Sequence, residues 1–351
     1  GLVVVFFLIC IYFNLRYTMV VSLGYLTVCQ VLRVFIFDYG VLSTDFSGPL
    51  MMMTQKITSL AFQLHDGMGR KQEELKDDQR RLAVRSRPSL LEYLSYNINF
   101  MSVLVGPCSN YKDYDEFING KGVIRRLKAE TDGIVQQNCK VHEPSPTAAR
   151  PKFYFAWTLA DALHNAAGFG ISGVNERGEV TWDLICNVHI WEIETATSFK
   201  TFIDHWNIQT CHWLKRVCYD RAPRYRTSVT FLLSAIWHGV YPGYYFTFIS
   251  AIPITLAARS VRRNFRHYFL SSIRLKLCYD VMTWAATQLT ISYTVMPFLL
   301  LAVDPALQYY RSMFFHVHVL SILALILLPS KPSSRKPEKP TLLSNNNMKE
   351  G

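Results

Sequence analysis

The chain has 351 residues, of which 50% are hydrophobic and 18% charged, and its formal net charge is +11. A soluble domain usually carries about a quarter charged residues, so this composition argues against one large soluble core and predicts a multi-pass membrane protein. The basic residues lie in loops between apolar runs, which indicates contact with an anionic lipid leaflet and argues against nucleic acid as a partner. The eight cysteines form no CxxC pair, so we expect no metal site and no disulfide framework.

The first quarter of the chain alternates between apolar and charged segments. Residues 1–37 are long enough for one or two helical spans. Residues 48–63 form a shorter, amphipathic segment, which favours an interfacial or re-entrant helix over a spanning one. The dense mixed-charge run at 69–87 predicts a solvated cytosolic helix.

Two later segments resemble spans but contain polar residues. The first, 89–107, has Asn97 and Asn99 near its centre, next to Tyr96. A polar loop over 119–150 separates it from the second segment, 153–172. The polar residues of that second segment are Asp161, His164 and Asn165. Asp161 and His164 share one helical face, so they form either a satisfied intramembrane pair or part of the lining of a watery cavity.

The second half begins with a polar, tryptophan-rich stretch at 173–226, which suits amphipathic helices at the membrane interface. Apolar runs at 228–257, 277–303 and 313–328 then predict further spans. The Pro, Ser and Lys content of residues 329–351 predicts a disordered cytosolic tail. We find no internal repeat, and we predict a single all-α membrane-embedded domain over residues 1–328.

The stretch SAIWHGVYPGYYFTF places His238 among apolar and aromatic residues with no charged neighbour. Pro242 and Gly243 should interrupt the helix after His238, and such breaks are tolerated in membranes where the backbone lines a cavity. The sequence therefore predicts a helix that breaks at an internal chamber. Burial disfavours the imidazolium, so the ring stays neutral and able to accept a proton, as a general base must.

A second polar motif, DHWNIQT, contains Asn207, which lies 31 residues before His238. This separation is too long for one helical face, so only the tertiary structure can bring the two residues together. An amide beside a neutral base can orient it or donate a hydrogen bond to developing charge. The alternative is a histidine hydrogen-bonded inside a helix bundle and an unrelated interfacial asparagine. Spacing alone leaves both interpretations open.

WNIQT followed by SAIWHGVYPGYY resembles the signature of the membrane-bound O-acyltransferase family, in its lysophospholipid acyltransferase branch. The segments YLSYNINFMSVLVGPCSNYKDY, KFYFAWTLADALHNAAGFGISG and WEIETATSFK resemble the same branch. The resemblance extends over about residues 46–328. A WHG motif alone is weak, whereas its combination with WNI at this separation is specific.

The resemblance implies a helical membrane fold that encloses a reaction chamber in the endoplasmic reticulum membrane. It implies transfer of a fatty acyl group from acyl-CoA to the free hydroxyl of a lysophospholipid with an ethanolamine or serine head group. His238 would be the catalytic histidine and Asn207 its partner. Acyl-CoA would be a co-substrate, and no cofactor is implied.

Further candidate substrate contacts are polar or aromatic residues in or beside the predicted spans. They are Asn97, Asn99, Asp161, His164, Asn165, Trp206, Ser234 and Trp237. Each has a structural alternative. Ser234 shares a helical face with His238 and is either an acyl-accepting nucleophile or a packing residue that bonds the i−4 carbonyl. The tryptophans either shape an acyl tunnel or pack helices. The basic segment 259–276 attracts either the phosphates of CoA or anionic lipid.

The chain departs from the resembled proteins in one place: only AARP joins HEPSPT to KFYFAWTLAD, where they carry a longer segment with additional spans. Its beginning is also shorter. We therefore expect the catalytic pair to be present and one wall of the chamber to be incomplete. Two rival functions are a transporter with Asp161, His164 and His238 on a polar pathway, and a non-catalytic lipid-binding scaffold. A third is a family member that acylates a sterol, a diacylglycerol or a secreted protein.

Overall fold

The computed structural model describes residues 15–36, 47–103, 106–120, 150–175 and 177–328. Helices form nearly all of the regular structure there, which confirms the predicted helical character. The exception is an antiparallel two-stranded hairpin of β1 (Gly173–Val174) and β2 (Val180–Thr181). Most of the loop predicted at 119–150, and the whole tail predicted at 329–351, lie outside the described residues.

The helices run in the following order along the chain. The first seven are α1 (Leu15–Ile36), α2 (Ser47–Met68), α3 (Asp77–Leu82), α4 (Leu90–Asn97), α5 (Phe100–Val103), α6 (Tyr111–Ile118) and α7 (Arg150–Ala166). After the hairpin come α8 (Ile190–Glu194), α9 (Phe199–His205), α10 (Ile208–Leu214), α11 (Arg226–His238), α12 (Pro242–Phe265), α13 (Ile273–Leu300), α14 (Val303–Ser312) and α15 (His316–Leu327).

By length and apolar composition, one described helix qualifies as a membrane span, α1 over Tyr17–Ile36. The helices α14 and α15 qualify together as a broken span, bent by 70°. The bend lies at Phe314 and Phe315, which both have positive φ, at the start of the apolar run predicted at 313–328. That run forms α15, and its crossing of the membrane stays a prediction. The helix predicted at 277–303 is present as α13. A multi-pass topology stays a prediction.

The amphipathic segment predicted to lie at the interface is instead the buried central helix α2. Its side chains are buried without interruption from Thr54 to Leu64. The polar residues that suggested a water-facing side are bonded to other helices. Gln55 Nε2 donates to Thr210 Oγ1 at 3.0 Å, and Thr58 Oγ1 accepts a 2.9 Å bond from Trp213 Nε1. The interfacial alternative was wrong because polar residues on a helix can mark an interhelical bonding face, and the re-entrant alternative stays a prediction.

The mixed-charge run at 69–87 was predicted as one solvated helix, and that prediction was also wrong. It contains a short 3₁₀ turn at Gln72–Glu74 and the six-residue α3. Leu75 and Leu82 are buried, and Lys76 Nζ forms a 2.6 Å ion pair with Asp220. Charges in this run therefore dock it onto the protein.

The segment at 89–107 does not form a span. Its first helix, α4, has eight residues and ends at Asn97, and α5 follows with four. Eight residues extend about 12 Å, well short of the roughly 30 Å of a bilayer core. Tyr96 is fully buried and donates from its hydroxyl to the Ser109 carbonyl at 2.7 Å. The segment therefore buries its tyrosines inside the protein, whereas Leu91 and Ile98 are exposed.

The basic segment at 259–276 is more regular than a loop. Helix α12 continues to Phe265, and a 3₁₀ turn at Arg266–Phe269 follows before α13 begins. The sequence reading missed this continuation because basic residues at a helix C-terminus are also favourable for the helix dipole.

The break predicted after His238 is confirmed. His238 is the last residue of α11, and Gly239 follows with φ of +145°, a conformation that favours glycine. Pro242 then occupies the first turn of α12, where its missing N–H is no loss. The sequence HGVYP therefore ends one helix and starts the next.

Helices α12 and α13 approach closely at Gly243. Its N–H donates to the Leu301 carbonyl at 2.8 Å, and a Cβ at this position would meet the Pro297 carbonyl oxygen at 2.1 Å. Only glycine fits this contact without moving the two helices apart.

Gly243→Ala should lower the free energy of unfolding by about 1–3 kcal/mol, because the added methyl group forces α12 away from α13. The matched control is Gly24→Ala in α1, where a Cβ would have no neighbour within 4 Å. That change should be neutral or stabilising by up to about 1 kcal/mol. Unfolding of the detergent-solubilised proteins measures both, and equal stability of the two variants would contradict the close contact.

Candidate active site

The imidazole of His238 has a defined hydrogen-bond partner on its own helix. Nδ1 lies 2.7 Å from the carbonyl oxygen of Ser234. A carbonyl oxygen can only accept a hydrogen bond, so we assign the ring proton to Nδ1. The lone pair is then on Nε2. The geometry at the end of α11 therefore gives His238 the tautomer of a general base at Nε2.

Aromatic rings surround the His238 imidazole. The ring centroid of Phe248 lies 4.8 Å away and that of Phe298 5.2 Å away. Tyr244 lies at 6.0 Å. These residues belong to α12 and α13, which follow the helix break. The box they form is apolar and disfavours a charged imidazolium.

Ser234 lies on the Nδ1 side of the ring. Its hydroxyl oxygen is 3.5 Å from Nδ1, farther than its own carbonyl oxygen. The Ser234 hydroxyl is therefore not placed to give its proton to Nε2, and the serine is better explained as a packing residue of α11.

Trp237 holds α11 against the first two helices. Its side chain is 2% exposed, and Nε1 donates to the Met51 carbonyl of α2 at 3.1 Å. Its own carbonyl accepts a 3.1 Å bond from Gln30 Nε2 of α1. Its ring also contacts Trp213 of α10 at 5.6 Å between centroids. These contacts give Trp237 a structural role next to His238.

Asn207 lies where a short extended segment turns into α10. Its backbone is left-handed, with φ 50° and ψ 54°, a conformation that asparagine tolerates better than most residues. The residue before it, Trp206, forms an antiparallel bridge with Val188. The side-chain Oδ1 of Asn207 accepts a 3.2 Å hydrogen bond from Asn187 Nδ2. Asn207 is thus held by residues that sequence reasoning did not single out.

Trp206 packs into an aromatic cluster. Trp157 lies 5.1 Å from it and Phe153 5.6 Å, both on α7. Tyr154 and Phe202 contact it at 6.0 Å. The cluster fixes the turn that carries Asn207, so the structure gives Trp206 a packing role.

The two candidate catalytic residues are carried by helices that touch. The contact between Trp213 and Trp237 joins α10, which starts after Asn207, to α11, which ends at His238. Among the described residues, no hydrogen bond joins the Asn207 amide to the His238 imidazole; Asn207 Oδ1 bonds Asn187 and His238 Nδ1 bonds the Ser234 carbonyl. The tertiary fold therefore packs α10 against α11, and a meeting of the Asn207 and His238 side chains stays a prediction.

Asn97 and Asn99 have local roles. Asn97 is fully buried and donates to the Tyr93 carbonyl at 2.8 Å, while Asn99 Oδ1 accepts from the Met101 N–H at 3.0 Å near the start of α5. The buried Oδ1 of Asn97 has no hydrogen-bond partner among the described residues. A contact with a polar ligand stays a prediction for both residues. The unsatisfied oxygen favours Asn97 over Asn99 for that contact.

Asp161, His164 and Asn165 do not form the intramembrane pair that was one alternative. His164 Nδ1 bonds the Ala160 carbonyl at 2.6 Å, and no hydrogen bond or ion pair joins it to Asp161 in the described part of the chain. Asp161 Oδ1, His164 Nε2 and Asn165 Oδ1 are buried and unsatisfied. Three unsatisfied polar atoms in five residues favour the other alternative, a polar cavity wall.

A polar cleft of about 420 Å³ lies beside Asn207, and sequence reasoning missed it. It is lined by Asp78, Arg81, Asn110, Asp113, Asp183, Leu184, Cys186, His189, Asp204, His205, Ile208, Gln209, His212, Lys215 and Arg216. Arg81 pairs with Asp113 at 3.4 Å. Arg216 donates to the neutral amide of Asn110 and has no carboxylate partner within the residues described. Burial and the nearby Arg81 lower the pKa of Arg216, and the nearby Asp78 and Asp113 act in the opposite direction.

Histidines and a cysteine also line the cleft. His189 and His205 meet through their Nδ1 atoms at 2.9 Å, and burial together with His205 lowers the pKa of His189. Burial raises the pKa of Cys186 to about 11, which keeps it a thiol. No group of three or more His, Cys, Asp or Glu side chains suited to a metal ion occurs in the described ranges.

Comparison with known proteins places both candidate residues inside a known domain. Residues 31–130 and 146–299, more than half of the chain, match the model of the membrane-bound O-acyltransferase family. Membrane-bound glycerophospholipid O-acyltransferase 1 from Homo sapiens is 50% identical over 384 aligned residues, covering 95% of this chain and 77% of the relative. Membrane-bound glycerophospholipid O-acyltransferase 2 from Homo sapiens is 51% identical, covering 92% and 72%. Lysophospholipid acyltransferase 6 from Drosophila melanogaster is 35% identical, covering 90% and 51%. The resemblance read from the sequence is confirmed.

Trp206→Ala should lower the free energy of unfolding by about 3 kcal/mol, because it removes the centre of the aromatic cluster against α7. Phe155→Ala is the control on α7, since that side chain is 70% exposed and its loss should change stability by less than about 0.5 kcal/mol. Thermal or chemical unfolding in detergent compares the two. If the Trp206→Ala protein is as stable as the control, the packing role is wrong and Trp206 is again a candidate substrate contact.

Proposed function

Because the chain belongs to the membrane-bound O-acyltransferase family, we propose that it transfers a fatty acyl group to the free hydroxyl of a lysophospholipid. The relatives named glycerophospholipid O-acyltransferases support this activity, since they are about half identical over most of the chain. We further propose acyl-CoA as the donor, an ethanolamine or serine head group on the acceptor, and the endoplasmic reticulum membrane as the location. The multi-pass topology belongs to the same proposal.

The observation that carries the proposal is the bond from His238 Nδ1 to the Ser234 carbonyl. It leaves Nε2 as a proton acceptor. In the proposed step, Nε2 takes the proton from the lysophospholipid hydroxyl while the hydroxyl oxygen bonds to the carbonyl carbon of the thioester. The carbon–sulfur bond then breaks, and the imidazolium returns the proton to the departing sulfur. The products are a phospholipid ester and free CoA.

The aromatic box supports this role. A thioester is already an activated acyl donor, so the protein must chiefly activate the hydroxyl and position two lipids. A correctly placed general base contributes roughly 10²- to 10⁴-fold to the rate. The rings of Phe248 and Phe298 keep the surroundings of His238 apolar, which favours the neutral base and protects the thioester from water.

Direct attack by the substrate hydroxyl is favoured over an acyl-enzyme. An acylated Ser234 would require its hydroxyl to face the basic nitrogen of His238. The hydroxyl lies instead on the Nδ1 side, which carries the proton. Asn207 then has the role of a hydrogen-bond donor to the oxyanion that develops on the thioester carbonyl.

The cleft beside Asn207 is suited to the polar part of acyl-CoA. Its volume is about 420 Å³ and its wall includes Arg216, Lys215 and Arg81. Phosphate groups are strong partners for guanidinium groups, and Arg216 has only a neutral amide as its partner among the described side chains. The acyl chain would then extend past Asn207 toward the apolar rings around His238.

His238→Ala should reduce acyl transfer by roughly 10²- to 10⁴-fold, since the proton acceptor is lost. Ser234→Ala should keep activity within about fivefold, because the contact it removes is weak and the carbonyl remains. A panel of lysophospholipids with oleoyl-CoA, assayed by release of the CoA thiol, measures both variants. Substantial turnover by His238→Ala would refute the mechanism, and inactivity of a folded Ser234→Ala would support an acyl-enzyme instead.

Arg216→Gln should raise KM for acyl-CoA about tenfold, because one charge-assisted hydrogen bond to phosphate is lost. KM for the lysophospholipid should stay near the wild-type value. Arg177→Gln is the charge-matched control, an exposed residue in the β1–β2 turn that should leave both constants unchanged. Equal effects of the two substitutions would locate the CoA phosphates elsewhere, and the basic segment 259–276 would be the next candidate.

A further inference from the structure

The short antiparallel bridge between Val188 and Trp206 aligns two polar pairs. On either side of the bridge, Asn187 stands opposite Asn207 and His189 stands opposite His205. Both side-chain pairs are in contact: Asn187 Nδ2 lies 3.2 Å from Asn207 Oδ1, and the two histidines meet at 2.9 Å. Side chains alternate along extended backbone, so Val188 and Trp206 point to the other side. The contact between the two asparagines therefore follows from the backbone register.

We infer that Asn187 is a positioning residue that sets the orientation of the Asn207 amide. The inference rests on the proposed function, in which Asn207 donates to the thioester oxyanion. It adds a residue outside the WNIQT and WHG motifs.

Asn187 is itself fixed in place. It is 2% exposed, and its Oδ1 accepts the Gln209 N–H at 3.0 Å. Its backbone carbonyl accepts the Ile208 N–H at 3.0 Å. These are N–H groups of the first turn of α10, which have no acceptor within the helix. Gln209 returns the contact by donating from Nε2 to the carbonyls of Leu184 and Cys186 at 3.2 and 3.1 Å.

These bonds leave the Asn187 amide with one orientation. Its oxygen is used by Gln209, so its N–H₂ group must face Asn207. Asn207 therefore presents its oxygen to Asn187, and its own N–H₂ group faces away from that contact. If the Asn207 amide rotated by half a turn, two N–H₂ groups would oppose each other. The pair thus keeps the two donors of Asn207 available for developing negative charge.

The same contact supports an uncommon backbone conformation. Asn207 has positive φ, and its side chain does not cap α10. Asn187 takes over the capping from across the bridge by accepting the N–H groups of Ile208 and Gln209. The Asn207 side chain is therefore free of the local capping role that asparagine usually has at a helix N-terminus.

Asn187→Asp tests the orientation, because it keeps an acceptor for the Gln209 N–H and replaces the donor toward Asn207 by an oxygen. Asn207 should then turn its N–H₂ group toward the new carboxylate. We expect kcat with oleoyl-CoA and lysophosphatidylethanolamine to fall at least tenfold, as for loss of an oxyanion donor. Both KM values should stay within about twofold, and the melting temperature should stay near that of the wild type.

Asn175→Asp is the matched control for Asn187→Asp. Asn175 lies in the hairpin turn, and its Oδ1 accepts hydrogen bonds from the Arg177 and Glu179 N–H groups. As at Asn187, the substitution keeps this acceptor oxygen and replaces the side-chain N–H₂ donor by an oxygen. It should leave kcat unchanged.

A double-mutant cycle distinguishes positioning from an independent effect. Asn187→Ala should lower kcat in the wild-type background and have little further effect in an Asn207→Gly background, because the residue it acts through is already gone. Equal fold-losses in both backgrounds, or full kcat in Asn187→Asp, would overturn the inference while leaving the proposed function standing. Failure of the folded wild type to acylate any lysophospholipid would overturn the proposed function, and the inference with it.

Discussion

The chemistry proposed for this chain depends on one hydrogen bond, from His238 Nδ1 to the carbonyl of Ser234. The bond lies within a single helical turn at the end of α11, and it decides which ring nitrogen keeps a lone pair. Because α11 stops at His238, the ring faces the start of α12 and the aromatic residues that α12 and α13 supply. The tautomer of His238, its apolar surroundings and the helix break are therefore all set at the C-terminal end of α11.

The rest of the fold packs α10, the helix that follows Asn207, against α11 through Trp213 and Trp237. The buried helix α2 contributes most to this, since it accepts hydrogen bonds from Trp213 of α10 and from Trp237 of α11. Trp206 holds the other side of the segment against α7. The bridge with Val188 then fixes the direction of the Asn207 side chain through Asn187.

The predictions that failed have a common cause. Segments 48–63, 69–87 and 89–107 were interpreted by matching apolar and charged runs to lipid, interface or water. In this protein a buried polar face, as at Gln55 and Thr58, bonds to other helices, and the short helix α4 buries Tyr93 and Tyr96 while Leu91 is exposed. Composition indicates how polar a segment is. Whether that segment packs against protein, lipid or water depends on residues far away in the chain. The cleft at Arg216 was missed for the same reason, because its lining comes from several distant segments.

The sequence by itself determined the helical character of the chain, the break after His238, the family, and the pair of residues proposed for catalysis. These features follow from local properties: the conformational preferences of Gly239 and Pro242 end one helix and start the next, and a motif is recognisable without knowing its surroundings. Only the tertiary structure decided that Trp206 and Trp237 pack against distant helices, that Asp161 and His164 do not pair, and that Asn187 holds Asn207. Those facts depend on which atoms come within about 3–6 Å of each other, and such distances are set when separate segments pack together.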